Sequence, residues 1–179
     1  MAGPCASIFV SAACSEIAAS VTAQIIAVVA RTVDEDGFWV SSTQPVGGTY
    51  SGEDRPFFLT IDYFHGQSSH PEPTQDELVQ IERFSGFAPV AEIVICAMCN
   101  GGDEHRILGE LLLAFARQLD GTVSFGGELL SLSDDERLRL PGRTSRVIVQ
   151  DGDRTSGYVI SDARFLESWL THDRFRMVK

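Results

Sequence analysis

The stretch from Ala88 to Leu130 constrains this chain more than any other. A run of β-formers, Val90 to Cys96, leads into Asn100-Gly101-Gly102-Asp103. A long apolar-striped segment follows, then Gly121-Thr-Val-Ser124-Phe125-Gly126-Gly127. This order specifies a buried strand, a tight glycine turn, a helix and a return strand. In the helical segment Ile107, Leu111, Phe115 and Leu119 recur at one-turn spacing, with Leu108, Leu112 and Ala116 beside them. A stripe that wide has to face a core. Gly121 is placed to end the helix in the left-handed conformation that glycine adopts cheaply.

The flanking segments supply the rest of a domain. Ala6 to Ser11 reads as a short strand, and Ile17, Val21, Ile25 and Val28 with interleaved alanines read as a helix ending near Arg31. Phe38 to Ser41 reads as a strand returning beside the first, and Gln44 to Arg55, with Pro45, Gly47, Gly48 and Gly52, as a loop. Phe57 to Phe64 is apolar on both alternating faces and belongs inside a sheet. Thr74 and Glu77 have capping-box spacing for a helix that Ser85-Gly86 stops, and Ser133 and Glu136 repeat that spacing for a short helix closed by Pro141-Gly142. Arg146 to Gln150 and Tyr158 to Ser161 form a hairpin about Asp151-Gly152-Asp153. Ser161 then caps a last helix with Phe165, Leu166, Trp169 and Leu170 as its apolar stripe.

Strands and helices mix without strict alternation, which predicts one α+β domain over residues 1–179. Its mostly antiparallel sheet is expected to carry helices packed on one face, and two ferredoxin-like halves are one arrangement that satisfies the order. A length of 179 residues suits a single core. The net charge of −11 excludes the basic footprint of a nucleic-acid binder. Such a surface favours solubility and steers a basic partner toward it. No basic residue precedes the first apolar stretch, and the run Ile25 to Ala30 is far shorter than the ~20 residues a membrane span needs. Together these features predict a cytoplasmic protein with no membrane partner and its cysteines as free thiols.

Four cysteines are present: Cys5, Cys14, Cys96 and Cys99. Cys96-Ala-Met-Cys99 is the sharpest chemical signal, because two thiols at this spacing suit zinc or disulfide exchange. His105 lies just beyond, and His65 and His70 fall in the loop before the second helix, so Cys96, Cys99 and His105 form the candidate metal set. The competing reading is that Cys96 packs as a small hydrophobe. Asn100 to Asp103 has neither the Lys-Ser/Thr of a phosphate loop nor dinucleotide spacing. The Gly121 to Gly126 segment has one residue too many for a nucleophile elbow. His172-Asp173 has no nucleophile that the sequence pairs with it. No cofactor is expected beyond that zinc option.

Acidic residues cluster at Asp34-Glu35-Asp36, Glu53-Asp54, Asp103-Glu104 and Asp134-Asp135-Glu136. Helix starts favour carboxylates for local reasons. Converged on one face, however, Asp34, Glu35, Asp36, Glu53, Asp54, Asp134, Asp135 and Glu136 would make a surface complementary to a basic partner. Tyr50 and Phe64 are the loop aromatics placed to anchor such an interface.

Ile95-Cys-Ala-Met-Cys-Asn100, Glu104-His-Arg-Ile-Leu-Gly-Glu-Leu111, Ser124-Phe-Gly-Gly127 and the tail Phe165-Leu-Glu-Ser-Trp-Leu170 with Phe175-Arg-Met-Val-Lys179 resemble an uncharacterised bacterial domain family. Small acidic members of such families resemble, by analogy, the immunity proteins that accompany polymorphic toxins. The resemblance implies a non-catalytic protein that binds and blocks a basic toxin domain. The alternative expectation is a zinc- or thiol-dependent enzyme using Cys96, Cys99 and His105, and a third is a structural subunit of an assembly.

Overall fold

The structure is a computed structural model that describes residues 3–35, 37–64 and 72–178. In chain order the elements are β1 (Cys5–Ser11), α1 (Ala12–Val29), β2 (Ala30–Asp34), β3 (Gly37–Ser42), a 3-10 turn (Gln44–Val46), β4 (Ser51–Tyr63) and α2 (Gln75–Ser85). They continue as β5 (Pro89–Ala97), α3 (Gly102–Leu119), β6 (Thr122–Ser124), α4 (Asp134–Arg139), β7 (Thr144–Asp151), β8 (Arg154–Ser161) and α5 (Ala163–Leu170). Antiparallel pairing joins the strands into one continuous sheet of order β2-β3-β4-β5-β1-β6-β8-β7. The α+β class and antiparallel sheet match expectation. The sheet is one body with β1 at its middle, however, and not two four-stranded halves.

Strand alternation sorts the sheet into two faces. The first carries Ala6, Ile8 and Val10 of β1, Ala91, Ile93, Ile95 and Ala97 of β5, and Phe38, Phe57, Val123 and Val159 from their neighbours. Helices α1, α3 and α5 cover it. The α3 stripe Ile107, Leu108, Leu111, Leu112, Phe115 and Leu119 is fully buried there, each side chain stabilising the fold by roughly 1.5–3 kcal/mol. The helix ends with Asp120, not Gly121, in the left-handed region at φ 46°. Gly121 serves a different purpose: a Cβ there would stand 2.4 Å from Ile8 Cγ2, so glycine lets the chain turn tightly against β1. The last helix is capped by Asp162, which accepts from the Phe165 N–H at 2.8 Å, rather than by Ser161.

Helix α2 departs from the expectation of helices on one face. It lies on the second face, where Ile81 packs with Phe9, Val147 and Ile160 and is ringed by Phe64, Phe84 and Tyr158. Those residues come from strands distant in sequence, and only the folded sheet shows that this face also needs a cover. Both ends of the Gln80 amide engage Ile148, accepting from its N–H at 2.8 Å and donating to its carbonyl at 3.0 Å, so α2 satisfies backbone groups of the edge strand β7. Both capping boxes, Thr74 with Glu77 and Ser133 with Glu136, are formed as expected.

The strands differ from expectation at one edge. β3 pairs with β2 and β4, whereas β1 pairs with β5 and β6. Most of β2 is exposed and polar, defined by backbone pairing alone, so it has no hydrophobic signature. β4 reaches back to Ser51 through Pro56, and only residues 44–50 of the expected loop remain outside it. That loop is held to α3 by the buried Glu110 carboxylate, which accepts from the Thr43 hydroxyl, from the Thr49 N–H at 3.0 Å and from Arg106 Nε at 2.7 Å. Gly48 is required here, because a Cβ would lie 2.5 Å from Glu110 Oε2.

Helix α1 is, by length and composition, the one helix among the described residues that could cross a membrane. It is longer than the apolar run visible in the sequence because alanine and threonine positions extend it. In this fold Ala18, Val21, Thr22, Ile25 and Val29 lie buried against the sheet.

Candidate functional site on the second face of the sheet

Helix α2 covers only part of the second face, and the remainder grades from apolar to acidic. At one end the register places Trp39 of β3, Pro56 and Phe58 of β4, and Cys96 and Cys5 of β5 and β1 side by side. Met98, whose N–H donates to the Pro56 carbonyl at 3.0 Å, extends the strip. Phe58 is 43% exposed and Met98 46%, which is unusual for large apolar groups at the centre of a sheet. Further along stand Thr60, Val94 and Ser7.

Next come the charges. Asp62 and Glu92 face each other across β4 and β5, and Phe9 faces Glu92 across β1. Asp62 is buried, and the Ser7 hydroxyl donates to Glu92. Glu77 joins them from α2, where its carboxylate accepts from the Thr74 N–H at 3.0 Å and the Thr74 hydroxyl at 2.9 Å. Together Phe9, Thr74, Glu77, Glu92, Ser124 and Tyr158 line a cavity of about 480 Å³. Burial, followed by the Glu77 and Glu92 carboxylates, pushes the Tyr158 hydroxyl far above the ordinary tyrosine range and keeps it a neutral phenol. Two carboxylates, a phenol and an aromatic ring therefore share this cavity, with Glu77 engaged by its helix cap and Glu92 by Ser7.

The acidic residues singled out in the sequence fall in three places. Asp34 and Glu35 end the edge strand β2 at its turn into β3, and Asp54 lies on the second face two residues before Pro56. These three border the apolar strip. Glu53 belongs to the opposite face, beside Arg55, which also meets Asp103 at 3.1 Å and Glu104 at 3.5 Å. Asp134, Asp135 and Glu136 open α4, near the far edge of the sheet. There Asp134 pairs with Arg137, and Glu136 is held by its cap and by Arg174. Asp36, His65 and His70 lie outside the described residues.

The candidate metal set does not assemble. Cys96 is disulfide-bonded to Cys5, directly opposite it in the β1–β5 ladder with Cα atoms 4.1 Å apart. This corrects the expectation of free thiols, which holds only for Cys14 and Cys99. Cys99 is exposed, while His105 is buried with Nδ1 accepting from the Met177 N–H at 3.1 Å. Among the described residues no three His, Cys, Asp or Glu side chains are placed to hold a metal ion. The loop aromatics are also occupied: Tyr50 donates its hydroxyl to the Glu53 carbonyl at 2.6 Å, and Phe64 packs toward Phe9. Phe58 and Met98 are exposed apolar groups on this face, while Ile17, Val28, Val33, Tyr63, Leu130 and Leu138 are exposed elsewhere on the described surface. Asp62 and Glu92 carry a sequence signal of their own, as lone charges inside apolar strands.

A family model described as a family of unknown function (DUF6368) matches residues 2–179. No curated protein and no solved structure matches the chain.

Proposed function

The chain belongs to the family of unknown function (DUF6368), and on that premise we propose that it works by binding a basic protein, as an immunity-type inhibitor of a toxin domain. The observation that carries this reading is the uncovered part of the second face. An exposed apolar strip at Phe58 and Met98 adjoins a carboxylate-lined cavity and an acidic border at Asp34, Glu35 and Asp54. Apolar anchors within a charged rim are the anatomy of a specific protein interface. In this reading the cavity beside the strip takes one basic side chain. A net charge of −11 would speed encounter with a basic partner.

The test is affinity capture of the tagged chain from its native cells at low and high salt, followed by titration with whatever is captured. The expected result is one stoichiometric basic protein whose binding weakens with salt. Phe58→Ala should raise the dissociation constant by roughly tenfold or more, as loss of an interface anchor does. Glu35→Arg, at an exposed turn, should slow association. A partner that binds both variants as it binds the parent chain would place the interface elsewhere.

A further inference from the structure

The C-terminal end of α2 borders a feature of the other sign. Arg83 and Phe84 of α2, Arg137 of α4, Arg143 and the β7 residues Thr144, Ser145 and Arg146 line a cavity of about 600 Å³. The chain has only 14 Lys and Arg against 25 Asp and Glu, yet four arginines line this one space. Like charges gathered on one surface repel unless something of opposite charge joins them.

The carboxylates nearby leave the cluster short of negative charge. Arg137 pairs with Asp134 at 2.9 Å, and Arg146 with Glu128 at 2.5 Å. Arg143 meets Asp162 at 3.6 Å, but that carboxylate also caps α5 and accepts from the Arg143 N–H. Arg83 has no carboxylate partner among the described residues. Arg137 Nε is buried without a hydrogen-bond partner there, an orphan donor within the residue that walls the cavity. Arg143 is already oriented, with Cζ 5.1 Å above the Phe84 ring.

We propose that this cavity binds a small molecule carrying two or more phosphate groups, of the nucleoside diphosphate type. Guanidinium forks match phosphate oxygens in pairs. Ser145, on the face of β7 that α2 covers, adds a neutral hydroxyl donor. The volume is that of a small-ligand site, too small to enclose a folded partner. Phosphate recognition here is independent of the partner interface proposed above, since it uses the other end of α2 and the opposite charge.

The test is calorimetric titration of the full chain with inorganic pyrophosphate and with ADP, at low and moderate salt, for the parent chain and for Arg83→Gln and Arg143→Gln. Arg83 is exposed and makes no ion pair among the described residues, so Arg83→Gln should keep the parent melting temperature while weakening pyrophosphate roughly tenfold or more, the cost of one charge-assisted hydrogen bond. Arg143→Gln, which also gives up the Asp162 pair and the Phe84 contact, should weaken both pyrophosphate and ADP. Three results would overturn the proposal. One is no heat from either ligand at millimolar concentration, and another is binding that both variants retain in full. The third is tighter binding of an acidic peptide or an oligonucleotide than of pyrophosphate, which would reassign the arginines to a macromolecule.

Discussion

Replacing Glu110 tests whether the loop at residues 43–50 is held by one buried carboxylate. Its Oε1 accepts from the Thr49 N–H at 3.0 Å, the Thr49 hydroxyl at 2.7 Å and Arg106 Nε at 2.7 Å, and its Oε2 accepts from the Thr43 hydroxyl and the Tyr50 N–H at 3.3 Å. Three of these donors have a second acceptor, since Arg106 Nε also reaches Thr49 Oγ1 at 3.3 Å. The Tyr50 N–H keeps Thr43 Oγ1 at 3.0 Å, and the Thr43 hydroxyl has the Tyr50 carbonyl within 3.5 Å. Glu110→Ala therefore strands chiefly the Thr49 N–H and removes the charge that Arg106 pairs with, although Arg106 keeps the Leu170 carbonyl and the Thr49 hydroxyl. Each hydrogen bond to a charged group is worth about 1.5–3 kcal/mol, and Arg106, about a third exposed at 35%, recovers part of its loss from water. The expected cost of Glu110→Ala is about 3–4 kcal/mol. Glu110→Gln should cost only about 1–2 kcal/mol. Its amide oxygen can serve Thr49 and Arg106, while its amide nitrogen faces a hydroxyl that rotates to accept. Urea denaturation at neutral pH reads both values. An alanine variant within about 1 kcal/mol of the parent, or a glutamine variant as damaged as the alanine one, would refute this account of the network. The pH dependence gives an independent reading. Burial pushes the Glu110 carboxyl up, but the hydrogen bonds from Thr43, Thr49 and Tyr50 outweigh it and hold the group below its ordinary value of 4.5. A carboxyl depressed in the folded state contributes stability that is present above that value and lost as pH falls through the folded one. Glu110→Gln should therefore flatten the acid limb of the stability curve below about 4.5.

Two further outcomes follow from the geometry. Thiol titration in denaturant without reductant should find only Cys14 and Cys99, and reduction should release Cys5 and Cys96 as well. Closing a loop over a separation of 91 residues restricts the unfolded chain, so reduction should lower stability by about 2–4 kcal/mol; four reactive thiols before reduction would contradict the pairing. In ultraviolet titration Tyr158 should stay protonated through the ordinary tyrosine range, so Tyr158→Phe should leave the amplitude near pH 10 unchanged. Because its hydroxyl is raised in the folded state, the stability it contributes is present below the unfolded value and is lost as pH rises above it. A smaller amplitude in the variant would show that Tyr158 ionises normally and that the cavity is wetter than described.

The sequence by itself determined the elements whose signal is local. The α3 stripe, the capping boxes at Thr74 and Ser133, the β7–β8 hairpin and the buried strand β5 are each set by side chains a few residues apart. Tertiary structure decided everything that depends on strand order. β2 exists because β3 pairs with it, since its side chains are exposed and offer no pattern. Cys5 meets Cys96 across a separation of 91 residues because β1 inserts beside β5, so Cys96-x-x-Cys99 shows a local spacing but not the bond that one of its members makes. The same insertion brings Asp62, Glu92 and Phe9 onto one face, and α2 then adds Glu77 at one end and Arg83 at the other. Periodicity says which face of each strand is apolar. It does not say which strands are neighbours, and charge placed on a shared face becomes a site only once they are.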